Sequence, residues 1–113
     1  MPYVDIRSSK PIDKPTRNAL QLEIGKIMPT IPGKDVSNTL ISICDCCTMY
    51  KDTRPAEAVF IDVRMYKQSP EDAKRAFVKK ITALVVDILQ VPANGVNLNF
   101  TEQPAWAVGG DYF

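Results

Sequence analysis

The chain has 113 residues, of which 45% are hydrophobic, so it can bury a core but is short for two ordinary domains. We therefore predict one domain over residues 1–113. The chain has 14 Lys and Arg against 13 Asp and Glu, so it lacks the excess of positive charge that is typical of proteins that bind nucleic acid or an anionic membrane. No apolar run reaches the ~20 residues of a membrane span, and the N-terminus does not resemble a signal peptide. We expect a cytoplasmic protein that binds a small molecule or another protein.

The first half of the chain predicts a strand, a helix and a second strand. Residues 4–7 (VDIR) alternate apolar and charged side chains, which is typical of a half-buried strand. Asp13 can cap a helix with Pro15 in its first turn, and Pro29 marks the end of that helix. The second strand is predicted over residues 39–44 (TLISIC). The apolar residues at helical spacing are Leu20, Ile24, Ile27, Met28 and Ile31.

The second half repeats this order. Residues 61–64 (IDVR) match residues 4–7 without a gap, and such self-similarity constrains the architecture. Ser69 is the predicted cap of the second helix, with Pro70 at its first helical position. A last strand is predicted over residues 96–101 (VNLNFT). The apolar residues at helical spacing are Phe77, Ile81, Leu84, Val85 and Ile88.

Two strand-helix-strand units, at about residues 2–50 and 58–113, predict an α/β (α+β) fold. Connections between parallel strands are right-handed almost without exception. Joining two such units gives one four-stranded mixed sheet with both helices on one face. The other face of the sheet is left without a covering layer.

Period-two alternation predicts which side chains occupy each face of this sheet. The residues facing the helices are Val4, Ile6, Ile61, Val63, Val96, Leu98 and Phe100. Those facing away are Asp5, Arg7, Asp62, Arg64, Asn97 and Asn99. A polar face of this kind is often simply solvated. Since acid and base alternate on both repeated strands, we favour an oligomer whose copies close around a shared polar interior.

Three cysteines lie close together in "CDCC", at Cys44, Cys46 and Cys47. Crowded cysteines can indicate a metal site, but the chain has no histidine and no second cysteine pair to complete four ligands. We therefore predict no metal and interpret the cysteines as reduced thiols at a strand end. The lack of histidine also excludes Ser-His and Cys-His catalysis.

Two motifs resemble a known family. The segment "NFTEQPAWAVGG", Asn99 to Gly110, resembles the C-terminal segment of 4-oxalocrotonate tautomerase, and a proline behind the initiator Met is the signature of the tautomerase superfamily. Two strand-helix-strand units in a chain of this length are similar to the long branch of this superfamily, typified by macrophage migration inhibitory factor (MIF). The resemblance implies a homotrimer with its active sites at subunit boundaries.

Pro2 is the catalytic residue that this resemblance implies. Once Met1 is removed, Pro2 carries a secondary amine that can take a proton from carbon if it is neutral. A free α-amino group titrates near ~7.7–8.0, and apolar walls or a nearby cation lower that pKa further. The Pro2 amine can then act as a general base near neutral pH. If Met1 is retained, Pro2 is a tertiary amide and cannot act.

The resemblance also implies residues that bind the substrate carboxylate. Lys34, in "PGKDV", matches a lysine with that role in the long branch; a solvated loop lysine is the alternative. A backbone N–H at the end of the third strand is the second ligand, and the alignment assigns it to Met65. A shift of one residue would instead bring Arg64 into the site, where its guanidinium could hold a carboxylate with two hydrogen bonds. The pairing of Arg64 with Asp62 makes a structural role our preferred interpretation.

Three further residues complete the predicted pocket. Trp106 matches an aromatic wall over the proline in the short branch, although it could equally anchor the tail. Tyr3, next to the base, is a second candidate for the wall. Asn99 matches an asparagine that contacts the distal end of an aromatic substrate. Asn97 departs from the tyrosine or arginine that relatives carry at that position.

These features predict a keto-enol tautomerase acting on α-keto acids such as phenylpyruvate. No cofactor is expected, since only a proton moves. One alternative is a decarboxylase or dehalogenase of the same superfamily, which would need a second cation in the site. The other is a trimeric, cytokine-like interaction protein without catalytic activity.

Overall fold

The computed structural model describes all 113 residues and contains two helices, eight strands and three short 3₁₀ turns. The helices are α1 (Lys14–Ile27) and α2 (Glu71–Leu89). The strands are β1 (Tyr3–Ser8), β2 (Leu40–Cys44), β3 (Tyr50–Lys51), β4 (Arg54–Pro55), β5 (Val59–Tyr66), β6 (Val96–Gln103), β7 (Ala107–Val108) and β8 (Asp111–Tyr112). The 3₁₀ turns are Met28–Thr30, Val36–Asn38 and Ala93–Gly95. Neither helix is both long enough and apolar enough to cross a lipid bilayer.

Four strands form one mixed sheet in the order β2-β1-β5-β6. Strands β1 and β2 are parallel, as are β5 and β6, and the two repeated strands β1 and β5 run antiparallel in the centre. This confirms the predicted fold class. The register sets Asp5 opposite Asp62, its counterpart in the repeat. The two halves are therefore related about the centre of the sheet by an approximate twofold axis.

A single apolar core lies between the sheet and the helices. Strands β1 and β5 bury every second residue, as the alternation predicted, and the side chains of Leu20, Ile24, Phe77 and Ile81 meet them from the helices. The last strand is less deeply covered, since Val96, Leu98 and Phe100 are only partly buried against this core.

The polar face of the sheet carries ion pairs that run along each repeated strand. Arg7 Nε lies 3.3 Å from Asp5 Oδ2, and Arg64 Nη2 lies 3.1 Å from Asp62 Oδ2. Residues two apart on a strand share a face, so each arginine reaches the acid of its own repeat. These charges are thus paired within one chain, and an interior shared between copies stays a prediction.

The start of α1 agrees with the sequence, but the start of α2 does not. Asp13 caps α1 by accepting a hydrogen bond from the Thr16 N–H at 2.9 Å. At α2 the prediction of a Ser69 cap was wrong. Pro70 takes the N-cap position with an extended backbone (ψ 141°), so it stands one residue outside the helix. The Ser69 backbone N–H instead donates to Glu102 Oε2 at 2.6 Å and ties the helix entry to β6.

Two strand boundaries also differ from the prediction by one or two residues. β2 begins at Leu40, because Thr39 ends the preceding 3₁₀ turn by donating its N–H to the Val36 carbonyl at 3.3 Å. β6 continues to Gln103, because β5 extends to Tyr66 and pairs with it along its whole length.

Gly95 allows β5 and β6 to begin side by side. A Cβ placed there would lie 2.6 Å from the carbonyl oxygen of Glu57, which is backbone and cannot move aside cheaply. We expect Gly95→Ala to lower the free energy of unfolding by about 1–3 kcal/mol, the usual cost of overpacking. Urea unfolding measures this. The exposed neighbour provides the control, since Asn94→Ala should stay within about 0.5 kcal/mol of wild type. An equal response of both variants would contradict this explanation.

Candidate active site

A pocket of about 780 Å³ opens where the chain begins. Strand β1 lies between β2 and β5, and Tyr3 is in register with Leu40 on one side and Arg64 on the other. The residues that matter most for its chemistry are Pro2, Tyr3, Leu40, Ser42, Arg64 and Trp106. Four separate parts of the sequence thus meet at one end of the sheet.

Pro2 is buried in the wall of this pocket. Its carbonyl accepts a hydrogen bond from the Leu40 N–H at 3.0 Å, which fixes the start of β1 against β2. With Met1 in place the Pro2 nitrogen is an amide. Desolvation, followed by the charge of Lys34, lowers the pKa of the Met1 α-amino group below its ordinary value. The environment at the start of the chain therefore favours a neutral amine.

Lys34 lies beside the pocket and does not line it. It follows α1 in a loop, and its ammonium group donates to the Tyr66 carbonyl at 3.4 Å, at the end of β5. The ammonium forms no ion pair. It is therefore an unneutralised positive charge close to the N-terminus.

Arg64 and Met65 lie on opposite faces of β5. The Met65 side chain is fully buried in the core, whereas Arg64 is on the polar face and lines the pocket. The guanidinium donates from Nε and Nη2 to Asp62 Oδ2 at 3.2 and 3.1 Å. Its Nη1 has no hydrogen bond within the chain, so it remains available for another acceptor.

The other predicted residues are divided between this pocket and the far edge of the sheet. Trp106 lines the pocket and is held by two backbone hydrogen bonds to Phe113, at 2.8 and 2.9 Å, next to the β7-β8 hairpin. Asn99 lies on β6, where its amide donates to Thr101 Oγ1 at 3.1 Å. The structure thus brings Pro2, Tyr3 and Trp106 together and leaves Asn99 outside this pocket.

Sequence reasoning missed a chain of hydrogen bonds in the same pocket. The Tyr3 hydroxyl lies 2.8 Å from Ser42 Oγ, which donates to Asp5 Oδ1 at 2.5 Å. Ser42 stands beside Asp5 only because of the register between β1 and β2. The residue types alone gave no signal, since that register is not visible in the sequence.

The cysteines lie apart from the pocket. Cys44 and Cys46 are exposed, Cys47 is partly buried, and all three are free thiols. The fold contains no group of three or more His, Cys, Asp or Glu side chains placed to hold a metal ion.

Comparison with solved structures identifies the fold. MIF2 of Leishmania major superposes with a TM-score of 0.91 at 18% identity, over 100% of this chain and 97% of that one. A fused 4-OT described as an asymmetric trimer gives 0.87 at 11% identity, over 96% and 94%. N1, a member of the cis-3-chloroacrylic acid dehalogenase family, gives 0.83 at 19% identity, over 96% and 81%. No protein-family model and no curated protein matches the sequence.

The chain has the tautomerase fold. The resemblance inferred from Pro2 and the C-terminal segment is confirmed at this level, in the long, MIF-like form that covers the whole chain. At identities below 20% these similarities concern the backbone arrangement, so the chemistry must be argued from the side chains in the pocket.

Proposed function

We propose that this tautomerase-fold chain is a cofactor-free keto-enol tautomerase in which the amine of Pro2 is the general acid and base. The observation that carries the proposal is the lowered pKa of the α-amino group at the pocket, where burial and Lys34 both disfavour the charged form. Removal of Met1 would expose the Pro2 amine to the same surroundings. A neutral amine near pH 7 is what abstraction of a proton from carbon requires.

The pocket suits a small anionic substrate with an apolar part, such as the enol of phenylpyruvate. In this proposal the ammonium of Lys34 and the backbone N–H of Met65 hold the carboxylate. Trp106 and Tyr3 form the wall beside the reacting atoms. Pro2 then carries the proton between oxygen and carbon.

A homotrimer would complete this site from a neighbouring subunit. Strands β2 and β6 are both open edges of the sheet, and Leu40 is 69% exposed on one of them. Asn99 lies on the other edge, so it would reach the distal end of the substrate only from an adjacent copy. The trimer described for the fused 4-OT supports this arrangement.

The proposed assembly predicts a definite mass. Size-exclusion chromatography with light scattering should give about three times the chain mass of 12.6 kDa. A monomer at micromolar concentration would contradict the shared site, because Asn99 could not then approach Pro2.

A decarboxylase or dehalogenase of a small acid is the second candidate. Arg64 favours it, because its guanidinium lines the pocket and adds a second cation to that of Lys34 beside the pocket. The similarity to N1 of the cis-3-chloroacrylic acid dehalogenase family gives further support. The Arg64 variant argued in the Discussion separates the two candidates.

The direct test combines intact mass with an enol-to-keto assay of phenylpyruvate across pH. Protein without Met1 should be active, and its activity should change with pH as the Pro2 amine titrates. The proposal fails if such protein, with the mass expected after Met1 removal, does not accelerate the reaction at any pH between 5 and 9, a range that brackets the titration of an α-amino group at about 8.

Lys34→Met should move this pH profile towards higher pH. The cation lowers the pKa of the α-amino group, so its removal raises that pKa and the neutral base appears only at higher pH. The measurement is kcat against pH at saturating substrate. Lys26→Met is the matched control, since Lys26 pairs with Glu23 on α1 and does not line the pocket. A profile that stays in place in Lys34→Met would contradict the electrostatic role.

A further inference from the structure

We propose that Tyr3, Ser42 and Asp5 form a proton relay that serves the substrate oxygen while Pro2 serves the carbon. The inference rests on the proposed tautomerase and gives its site a second acid-base group. It changes the role of Tyr3 from a wall to a catalytic residue. Ser42 and Asp5 act through Tyr3 and are positioning residues.

The geometry of the sheet aligns the three side chains on its polar face. Tyr3 and Asp5 are two residues apart on β1, and Ser42 is the register partner of Asp5 on β2. The Tyr3 hydroxyl lies 2.8 Å from Ser42 Oγ, and Ser42 Oγ lies 2.5 Å from Asp5 Oδ1. Tyr3 and Ser42 both line the pocket that contains Pro2. The chain of bonds thus begins in the pocket and ends at a carboxylate.

The direction of each hydrogen bond follows from the acceptor at the end of the chain. An ionised carboxylate only accepts, so the Ser42 proton must point to Asp5. Ser42 Oγ then accepts the proton of Tyr3. The phenol oxygen consequently keeps its lone pairs free, and the pocket can offer it a donor such as an enol hydroxyl.

The far end of the chain is anchored and largely shielded from water. Arg7 Nε approaches Asp5 Oδ2 at 3.3 Å, so the second carboxylate oxygen is occupied and Oδ1 is left for Ser42. The Asp5 side chain is only 14% exposed. Charge-assisted bonds in such surroundings are stronger than neutral ones. A phenylalanine at position 3 would serve equally well as an apolar wall, whereas this chain uses the hydroxyl.

The relay gives a balanced ketonisation step. The protonated Pro2 amine delivers its proton to carbon, and the electrons of the carbon-carbon double bond form the new C–H bond. The enol O–H bond breaks, its electrons form the carbonyl, and its proton passes to the Tyr3 oxygen. Tyr3 gives its own proton to Ser42, which gives its proton to Asp5. Pro2 ends neutral and Asp5 ends protonated. Solvent then takes the proton from Asp5 and supplies one to Pro2, which restores both groups for the next turnover.

Substitutions along the relay test it in protein without Met1. Tyr3→Phe, Ser42→Ala and Asp5→Asn should each lower kcat by about 10²-fold, the lower range for acid-base catalysis, with little change in KM. The double variant Tyr3→Phe/Ser42→Ala should be no slower than Tyr3→Phe, because both remove the same path. Ser42→Thr keeps the hydroxyl and should retain most of the activity.

Control variants remove a tyrosine hydroxyl and a serine hydroxyl that lie outside the pocket. Tyr50→Phe changes a 67% exposed tyrosine on β3, and Ser69→Ala changes a serine whose backbone, not its hydroxyl, binds Glu102. Both should match wild type. The relay would be refuted if the kcat losses of the two single variants multiplied in the double variant, or if only KM changed. Tyr3 would then only form part of the pocket wall.

A measurement that does not depend on activity tests the relay separately from the proposed tautomerase function. Carbon-13 NMR of protein labelled at the tyrosine Cζ reports the hydrogen bond of each phenol, and Tyr3→Phe assigns the signal of Tyr3. Ser42→Ala should shift that signal, and Ser69→Ala should not. Wild type without activity would refute the proposed function and, with it, the catalytic use of the relay. An active enzyme whose Tyr3 signal ignores Ser42→Ala would refute the relay alone.

Discussion

Removal of Met1 should switch the activity on. With Met1 in place the Pro2 nitrogen is an amide without a basic lone pair, so protein that retains Met1 should be slower by about 10²–10⁴-fold, the range for loss of a general base. Treatment with a methionine aminopeptidase should restore kcat in proportion to the fraction of Met1 removed. Intact mass and the phenylpyruvate enol assay, followed in the same samples, measure this relation.

A matched variant separates the amine from the shape of the terminus. Pro2→Ala, also freed of Met1, keeps an α-amino group but loses the ring that holds it, so we expect partial loss and an intermediate rate. Thermal unfolding and light scattering should give the same values for all these proteins. Equal activity with and without Met1 would show that Pro2 is not the base, and the second cation of the pocket would become the centre of the chemistry.

The sheet and the packing of its central strands could be predicted because they depend on short-range patterns. Alternation in residues 4–7 and 61–64 gave both central strands and their buried faces, and the apolar spacing around Phe77 gave α2. These signals are local and repeat within the chain, so one sequence is enough to detect them. The two repeated units and the right-handed crossover rule then predicted one four-stranded mixed sheet with both helices on one face.

What could not be predicted depends on contacts between distant segments. The relation of Ser42 to Tyr3 requires the register of β1 and β2, and the Ser69 contact requires Glu102 to arrive from β6. The β3-β4 and β7-β8 hairpins were missed because strands of two residues carry no periodicity. Whether Arg64 faces the pocket depends on the exact register of β5. Alternate residues of a strand face opposite sides of the sheet, so an error of one residue exchanges the two faces.

Arg64→Ala should raise the KM for an anionic substrate by about 10- to 10²-fold, the equivalent of losing one charge-assisted hydrogen bond of about 1.5–3 kcal/mol. The free Nη1 in the pocket is the donor that would be lost. Steady-state kinetics with phenylpyruvate enol and with a neutral ester of it measure the effect, and the ester should respond little. Arg64→Lys should recover only part of the lost affinity for the anionic substrate. An ammonium lacks the planar fork with which a guanidinium can bind Asp62 and a second acceptor at once.

The repeat supplies the control. Arg7 pairs with Asp5 as Arg64 pairs with Asp62, but it does not line the pocket, so Arg7→Ala reports the cost of losing such a pair on the polar face. Both variants should change thermal stability and the trimer equally, while only Arg64→Ala raises KM. Equal effects on assembly with no difference in KM would give Arg64 a structural role. If kcat for an unsaturated halogenated acid vanished in Arg64→Ala while tautomerisation persisted, the dehalogenase candidate would take precedence, since the guanidinium would then act in the reaction as well as in binding.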